Sequence, residues 1–122
     1  MTVKIKTGKD NKFYMSVHAT NGNELSHTTK GYNSLDDIMT IIETLKGGET
    51  FCEVETANIA IKGNAVYFKI YNQAGDAIMV SNAYMAQNAS NPRNAWNRAN
   101  NQALKGYHAT INPKYLAKIE MS

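Results

Sequence analysis

Asparagine and arginine residues recur between Tyr84 and Asn101, in a pattern that could bind an anionic ligand. A guanidinium group binds phosphate oxygens through two parallel hydrogen bonds, and a side-chain amide can pair with the edge of an adenine. An aromatic ring nearby offers a surface on which a base stacks, a contact that contributes ~1–3 kcal/mol. The candidate ligand-binding residues are therefore Tyr84, Arg93, Asn94, Trp96, Asn97, Arg98 and Asn101.

Most of this stretch is expected to lie on a helix. Asn91 is a favourable N-cap, and Pro92 suits the first helical position. We predict that the helix continues to about Leu104 or Lys105 and that Gly106 ends it. On this helix the candidate residues fall on two adjacent lines, one of Arg93, Asn97 and Asn101 and one of Asn94 and Arg98. The opposite side carries small residues that let a helix lie close to a sheet, namely Ala95, Ala99 and Ala103, beside Trp96.

Each of these residues also has an ordinary structural explanation. Asn91 is fully explained as a cap, and a tryptophan such as Trp96 is more often a core residue. Arg93 and Arg98 could simply solvate a helix. Asparagine, however, is a mediocre helix former, and an ordinary solvated face would favour Glu, Lys or Gln. The stretch as a whole therefore favours a nucleotide-like anion as the ligand.

The sequence carries no recognisable catalytic or metal-binding motif. It lacks a glycine-rich phosphate loop followed by Lys and Ser or Thr, and it lacks the glycine pattern of dinucleotide-binding folds. The three histidines, His18, His27 and His108, lie far apart along the chain and have no metal-type spacing. His18 and His27 are expected to lie near each other on the surface of one hairpin. We therefore predict a binding protein that is not an enzyme and that needs no metal or cofactor.

The single cysteine and the nearby glutamates also offer no catalytic group. Cys52 cannot form a disulfide within the chain, and Glu49, Glu53 and Glu55 surround it with negative charge, which disfavours a reactive thiolate. We expect a buried, inert thiol in a reducing compartment. The three glutamates are expected on a short exposed strand with no evident partner.

The first half of the chain predicts a hairpin followed by a helix. Lys12 to Thr20 alternates as a half-buried strand does, and Glu24 to Thr29 returns as a second strand with Leu25 inward. Residues 21–23, Asn-Gly-Asn, provide the turn. A helix then begins after Ser34, which caps it, and ends at Gly47-Gly48. Its predicted core stripe is Leu35, Ile38, Met39, Ile42 and Leu45.

The second half predicts a longer series of strands. Short strands at 51–54 and 58–62 lead through a tight turn at Gly63-Asn64 into 66–71, the strongest strand pattern in the chain. The core residues of that strand are expected to be Val66, Phe68 and Ile70. Residues 107–122, after the second helix, are predicted to form a last edge strand with apolar alternation at Tyr115, Ala117, Ile119 and Met121.

The two halves correspond residue by residue over their hairpins. The first set is Tyr14, Met15, Val17, Gly22, Asn23 and Leu25, and the second, reached without a gap, is Tyr67, Phe68, Ile70, Gly75, Asp76 and Ile78. Both halves then reach a tyrosine, Tyr32 or Tyr84, before a helix. We interpret the chain as one α+β domain, residues 1–122, with a ββα unit duplicated over roughly 12–46 and 65–105. The strands are expected to form one antiparallel sheet with two helices packed against it; the alternative is two unrelated hairpins with similar turns.

Composition narrows the class of partner. The 122 residues carry a net charge of +3 and a pI near 9.0, a mild tilt towards anionic partners. Before the C-terminal third, lysine and arginine are scattered rather than gathered in the stripe typical of duplex-DNA binders. The first residues lack the apolar stretch of a secretory signal, and no window resembles a membrane span. We expect a soluble cytoplasmic protein that binds neither membranes nor duplex DNA.

Two resemblances to known families rest on these segments. Residues 91–99, Asn-Pro-Arg-Asn-Ala-Trp-Asn-Arg-Ala, and 106–109, Gly-Tyr-His-Ala, resemble the C-terminal part of small phage proteins that defeat Thoeris immunity as nucleotide sponges. The predicted strands followed by helices, the length and the basic charge also fit that family. Separately, the doubled ββα unit is similar to a small bacterial double-repeat family of unknown function.

The first resemblance implies a homo-oligomer in the infected host cell. Such a protein binds cyclic ADP-ribose isomers made by Thoeris TIR-domain enzymes and holds them intact. Some members of the family also hold cyclic oligonucleotides of another defence system at a separate site. Two alternatives stay open: a protein–protein inhibitor or adaptor that uses the exposed sheet residues Tyr14, Tyr67 and Tyr71, and a nucleotide-processing enzyme.

Overall fold

The structure is a computed structural model that describes residues 2–59, 63–86 and 91–121. In chain order its elements are β1 Thr2–Thr7, β2 Phe13–His18, β3 Glu24–Thr28, α1 Leu35–Gly47, β4 Phe51–Ile59, β5 Gly63–Tyr71, β6 Ala77–Val80, β7 Tyr84–Met85, α2 Pro92–Thr110, α3 Pro113–Leu116 and β8 Ile119–Met121. This architecture is α+β, which confirms the predicted fold class.

The described residues form one mostly antiparallel sheet, as predicted, and it contains eight strands. Seven of them follow the order β4-β5-β6-β3-β2-β1-β8, and β7 pairs with β5 beside this path. β3 and β6 meet at the centre, where His27 pairs with Val80 and Thr28 with Met79. β8 runs parallel to β1 at one edge. The central β3–β6 pair therefore joins the first half of the chain to the second.

The hairpins β2–β3 and β5–β6 have the same backbone geometry. Each turn contains a glycine with φ of +87°, Gly22 in one hairpin and Gly75 in the other, a conformation that a side chain would strain. Each ladder also shifts register at the corresponding place, after Val17 and after Ile70. The residue correspondence found in the sequence therefore coincides with matching turns and bulges.

A buried hydroxyl completes each hairpin in the same way. Thr28 Oγ1 accepts a hydrogen bond from the backbone N–H of Met15 at 3.2 Å, and Ser81 Oγ accepts one from Phe68 at 2.9 Å. Met15 and Phe68 are counterparts in the sequence correspondence. Thr28 follows Met15 by the same number of residues as Ser81 follows Phe68. The two hairpins are thus built alike, and their common origin stays a hypothesis.

The helices pack on one face of the sheet. On β5 the residues that point to this face, Val66, Phe68 and Ile70, are fully buried, as predicted. α2 contacts β5 and β3, α1 contacts β2, and α3 contacts β1. The opposite face, which we call the open face, carries the half-buried residues Tyr14, Tyr67, Lys69 and Tyr71. No helix within the described ranges is long and apolar enough to cross a membrane.

Helix α1 has the predicted caps but not the whole predicted stripe. Ser34 Oγ accepts from the backbone N–H of Asp37 at 3.2 Å, and Gly48 ends the helix with φ of +72°. The buried residues of α1 are Ile38, Ile41, Ile42 and Leu45. Met39, predicted to face the core, is 37% exposed instead. The buried residues keep the spacing of a single helix face, and Met39 lies outside it.

Helix α2 is longer than predicted, because Gly106 does not end it. Gly106 is buried within the helix, which continues to Thr110. A Cβ atom at Gly106 would lie 2.2 Å from Tyr84 Oη and 3.1 Å from Phe68 Cε2, so glycine allows the helix to approach the sheet closely. The last turn is then attached to β3 by a buried hydrogen bond between Thr110 Oγ1 and Ser26 Oγ at 3.1 Å.

The C-terminal residues do not form the single edge strand that was predicted for 107–122. The first of them belong to α2, the next form α3, and only the last three described residues pair with β1. Asn112 Oδ1 caps α3 by accepting from the backbone N–H of Lys114 at 2.9 Å. Leu116 is fully buried and Ala117 is exposed, which reverses the predicted alternation.

The turn predicted at Gly63-Asn64 is also wrong. β4 is one continuous strand, and in its ladder with β5 Gly63 pairs with Ile59 and Asn64 with Asn58. Both predicted turn residues therefore belong to a strand. The predicted second short strand extends into residues 60–62, which lie outside the described residues.

Strand β3 turns different residues inward from those predicted. Ser26 and Thr28 are buried, whereas Leu25 is only half-buried. Leu25 lies where the β2–β3 ladder shifts register, between the pairs of His18 with Glu24 and Val17 with Ser26. A bulge places two residues of one strand opposite one residue of the other. The residues of β3 that face the core are therefore shifted by one position from those predicted.

Candidate functional site

Helix α2 carries six of the seven predicted ligand-binding residues, and its first turn is fixed by a cap. Asn91 Oδ1 accepts from the backbone N–H of Asn94 at 2.9 Å, and Pro92 occupies the first turn, as predicted. Ala95, Ala99 and Ala103 are buried against the sheet. These small residues fix the rotation of the helix and therefore decide which side chains point outward.

Five of the predicted residues are exposed on the outer side of α2. We call them the α2 polar face: Arg93, Asn94, Asn97, Arg98 and Asn101. The first turn of the helix contains no acidic residue. From residue 77 to residue 119 the sequence has five lysines and arginines and no Asp or Glu. Because the N-terminus of a helix also attracts negative charge, this region favours an anionic ligand.

The two aromatic candidates lie apart from the α2 polar face. Tyr84 belongs to β7, and its hydroxyl lies against Gly106 on the sheet side of α2. Burial raises the pKa of the Tyr84 hydroxyl. Trp96 is half-buried and packs against the hydrophobic core. A base that stacked on either ring would therefore have to bind at the edge of α2 rather than on its outer side.

Two clefts of similar size lie at corresponding places in the two halves. A cleft of about 410 Å³ lies between the turn of the first hairpin and Asn82, Ala83 and Tyr84 of the second half. A cleft of about 400 Å³ lies between the second hairpin and Lys30 and Tyr32 of the first half, next to α1. Each cleft thus lies between the hairpin of one half and the segment of the other half that precedes the helix and contains Tyr32 or Tyr84.

The linings of the two clefts differ in charge. The cleft beside Tyr84 contains three amides, Asn21, Asn23 and Asn82, together with Glu24. The cleft beside Tyr32 contains Asp37 and Asp76 and also Lys30, whose ammonium lies 5.5 Å from the centroid of the Tyr32 ring. Burial raises the pKa of the Tyr32 hydroxyl as well. Neither cleft was predicted, although the correspondence of Tyr32 with Tyr84 is the sequence signal that could have revealed them.

The open face contains polar contacts that the sequence did not reveal. The Tyr67 hydroxyl donates to Glu55 Oε2, which also lies 3.7 Å from Lys69 Nζ. The prediction that Glu55 lacks a partner is therefore wrong, because the β4–β5 register puts Glu55 opposite Tyr67. The same hydrogen bond raises the pKa of Tyr67. In the first half the Tyr14 hydroxyl donates to Asp10 Oδ2 at 2.6 Å, which lowers the pKa of the Asp10 carboxyl.

The cysteine thiol is an unreactive group in this setting. Cys52 is free and half-buried on β4, less buried than predicted. Burial, with a smaller contribution from the charge of Glu53, raises the pKa of Cys52 to about 11. Because only the thiolate is a strong nucleophile, the thiol is expected to react slowly at neutral pH. Among the residues that the structure describes, no group of three His, Cys, Asp or Glu side chains could hold a metal ion.

The fold is similar to that of two solved proteins. No protein-family model and no curated protein matches the chain. The solution NMR structure of YegP, a protein of unknown function from E. coli, superposes with a TM-score of 0.65 at 13% identity, over 98% of this chain and 90% of that chain. The UPF0339 protein SO3888 from Shewanella oneidensis gives a TM-score of 0.63 at 14% identity, over 98% of this chain and 88% of that chain. At these identities the likeness shows the fold alone, and it agrees with the resemblance to small bacterial proteins of unknown function.

Proposed function

We propose that this chain is a non-enzymatic binding protein that sequesters an anionic, nucleotide-like ligand through the α2 polar face. One observation carries the proposal: a capped helix exposes Arg93 and Arg98 among side-chain amides, in a region of the chain without carboxylates. Arginine fits the two oxygens of a phosphate group, and the amides offer both donors and acceptors to a ribose or a base. Sequestration needs no general base or nucleophile.

Within this class we propose a cyclic ADP-ribose isomer as the ligand and Thoeris immunity as the process that is blocked. This narrower proposal is supported by the resemblance of residues 91–99 and 106–109 to the phage nucleotide sponges. The arginines would bind the diphosphate, while Asn94, Asn97 and Asn101 would bind the ribose or the adenine. A cyclic oligonucleotide presents the same phosphate and base chemistry and belongs in the same binding experiment.

We further propose that a second copy of the chain encloses the ligand. A sponge must bind below the signalling concentration, and a nanomolar dissociation constant corresponds to ~12 kcal/mol. Tight small-molecule sites bury ~70–90% of the ligand surface. The α2 polar face is the outer side of one helix and does not surround a ligand by itself. A homo-oligomer with α2 at its interface would supply the missing walls.

Isothermal titration calorimetry with a panel of cyclic ADP-ribose isomers and cyclic oligonucleotides tests the proposal. We expect at least one ligand to bind tightly to the wild type. Arg93→Glu should weaken this ligand at least 10-fold, because a charge-assisted hydrogen bond contributes ~1.5–3 kcal/mol. Lys4→Glu makes the same charge change at an exposed residue of β1, on the open face and away from the α2 polar face, and is the matched control. Absence of binding to every ligand, or equal weakening by both substitutions, would contradict the proposal.

A second candidate function uses the open face as a protein-binding surface. The observation that favours it is the packing of all three helices on one side, which leaves Tyr67 and Tyr71 half-exposed on the other. Aromatic residues are enriched at the centres of protein interfaces. The exposed Phe51, at 55% exposure, lies opposite Tyr71 in the β4–β5 ladder and would extend that surface. Capture of one stoichiometric protein partner, lost in Tyr71→Ser and with no small molecule retained, would support an inhibitor or adaptor instead.

A further inference from the structure

A serine and a histidine form a hydrogen-bonded pair on the open face, at the end of β2. Ser16 Oγ lies 2.8 Å from His18 Nε2, and His18 Nδ1 lies 3.1 Å from the carbonyl oxygen of Gly22. A carbonyl oxygen only accepts hydrogen bonds, so Nδ1 carries the proton of a neutral His18. Nε2 then holds a lone pair, and the Ser16 hydroxyl must be the donor. This is the arrangement of a serine nucleophile with its general base.

Neighbouring strands place further polar groups around Ser16. His27 lies directly opposite Ser16 across the β2–β3 ladder, and its Nδ1 is 3.0 Å from Glu24 Oε2. The Ser16 hydroxyl is thus hydrogen-bonded to His18, whereas His27 contacts Glu24. An open cavity of about 280 Å³ lies beside them, and Ser16, His27, Glu24 and Lys6 all line it. Ser16 therefore faces a space that a small molecule can enter, and Lys6 contributes a basic residue to its lining.

The fold itself does not require this pair. The corresponding positions of the second hairpin hold Lys69 and Tyr71, although that hairpin has the same bulge and the same glycine turn. The serine and the histidine are therefore a property of the first half alone. Their position on the open face also separates them from the α2 polar face, so this inference does not depend on the proposed function.

We propose that Ser16 is an activated nucleophile that accepts the acyl group of a small, activated carboxylic ester. Ser16 Oγ attacks the acyl carbon while its proton moves to His18 Nε2, and the carbonyl oxygen becomes an oxyanion near the Lys6 ammonium. The oxyanion then collapses, the bond to the leaving oxygen breaks, and His18 returns the proton to that oxygen. The cavity of about 280 Å³ has room for a short acyl chain, and a substrate with a good leaving group makes the least demand on proton return by His18.

Covalent labelling with p-nitrophenyl acetate and with a small alkyl fluorophosphonate tests this inference. We expect intact-mass spectrometry to show a fluorophosphonate adduct that peptide mapping assigns to Ser16. Acetylation of the Ser16 peptide by the ester should be lost in Ser16→Ala and slowed at least 20-fold in His18→Ala. His18→Gln keeps a hydrogen-bonding side chain but removes the base, so Ser16 should be acetylated as slowly in this variant as in His18→Ala. This second variant keeps the test valid if His18→Ala does not fold. His108→Ala removes an exposed histidine on α2 and should react like the wild type.

Two results would overturn the inference. The first is a wild-type protein in which neither reagent modifies Ser16 above the level of its other serines. The second is a folded His18→Gln variant whose Ser16 is labelled as fast as that of the wild type. Lys6→Gln refines the outcome: a several-fold loss of acetylation rate is expected if the ammonium stabilises the oxyanion, and an unchanged rate would remove Lys6 from the mechanism.

Discussion

The two long helices occupy similar positions after similar hairpins, and they differ mainly in the side that faces solvent. Both begin at a side-chain cap, Ser34 in α1 and Asn91 in α2. α1 carries three carboxylates and one lysine, whereas α2 carries two arginines, one lysine and no carboxylate. In both helices the cap and the buried face are sufficient to explain why the helix forms and packs on the sheet. The basic, amide-rich surface of α2 is therefore not a requirement of the fold, and this makes it the better candidate for a binding site.

The largest expected difference between the helices concerns their glycines. Gly106→Ala should destabilise the protein by ~1–3 kcal/mol, because the new methyl group overlaps Tyr84 and crowds Phe68. Gly47→Ala in α1 meets no atom within 4 Å and should stabilise by up to ~1 kcal/mol through helix propensity. Urea unfolding measures both free energies. Equal effects at the two sites would contradict the close packing of α2, and Tyr84→Phe should partly rescue Gly106→Ala.

Substitutions at corresponding positions of the two hairpins should lower the free energy of unfolding by similar amounts, unlike the glycine substitutions in the two helices. Thr28→Val and Ser81→Ala each remove a buried hydroxyl and leave a backbone N–H without its partner, a loss of ~1–3 kcal/mol. Thr29→Val removes an exposed hydroxyl that donates to the carbonyl of Ala77, and it should cost less than ~0.5 kcal/mol. Thermal unfolding followed by circular dichroism compares the three variants. A large loss in only one hairpin would show that the two halves are not equivalent.

The smallest expected effects concern charge in the first helical turn. Asp37→Asn should destabilise α1 by ~0.3–1 kcal/mol, because Asp37 lies at the positive end of the helix dipole. Arg93→Glu puts a carboxylate at the corresponding end of α2 and should stabilise the fold by a similar amount while it weakens anion binding. The two shifts should shrink at 1 M salt, where charges are screened. A destabilised Arg93→Glu variant would indicate that Arg93 has a structural role.

Local residue patterns were sufficient to predict much of this fold. The alternation of β2 and β5, the Ser34 and Asn91 caps and the start of both helices each depend on neighbouring residues. Two of the errors arose where a contact with a distant part of the chain decided the outcome. Gly106 packs against Tyr84 and Phe68 instead of ending α2, and Leu116 is buried by the return of the chain to β1.

The candidate site also combines positions that follow from local spacing with positions that depend on distant contacts. The outward position of Arg93 and Asn97 follows from helical spacing and could be predicted, as could the burial of the alanines opposite them. The separation of Tyr84 from the α2 polar face could not, because it depends on how β7 pairs with β5 beneath the helix. The clefts depend on how distant segments meet, and the orientation of the His18 ring towards Ser16 depends on the carbonyl of Gly22 in the turn. Residue types alone do not specify such geometry.

Native mass spectrometry of the protein incubated with a cyclic ADP-ribose isomer tests the central claim most directly. We predict a homo-oligomer with bound ligand in a fixed ratio to the subunits. The ligand should be released on denaturation with its mass unchanged, and Arg93→Glu should keep the oligomer but retain less ligand than the wild type at the same limiting ligand concentration. A wild-type protein that retains no ligand at micromolar concentrations, or one that releases a product of different mass, would contradict the account.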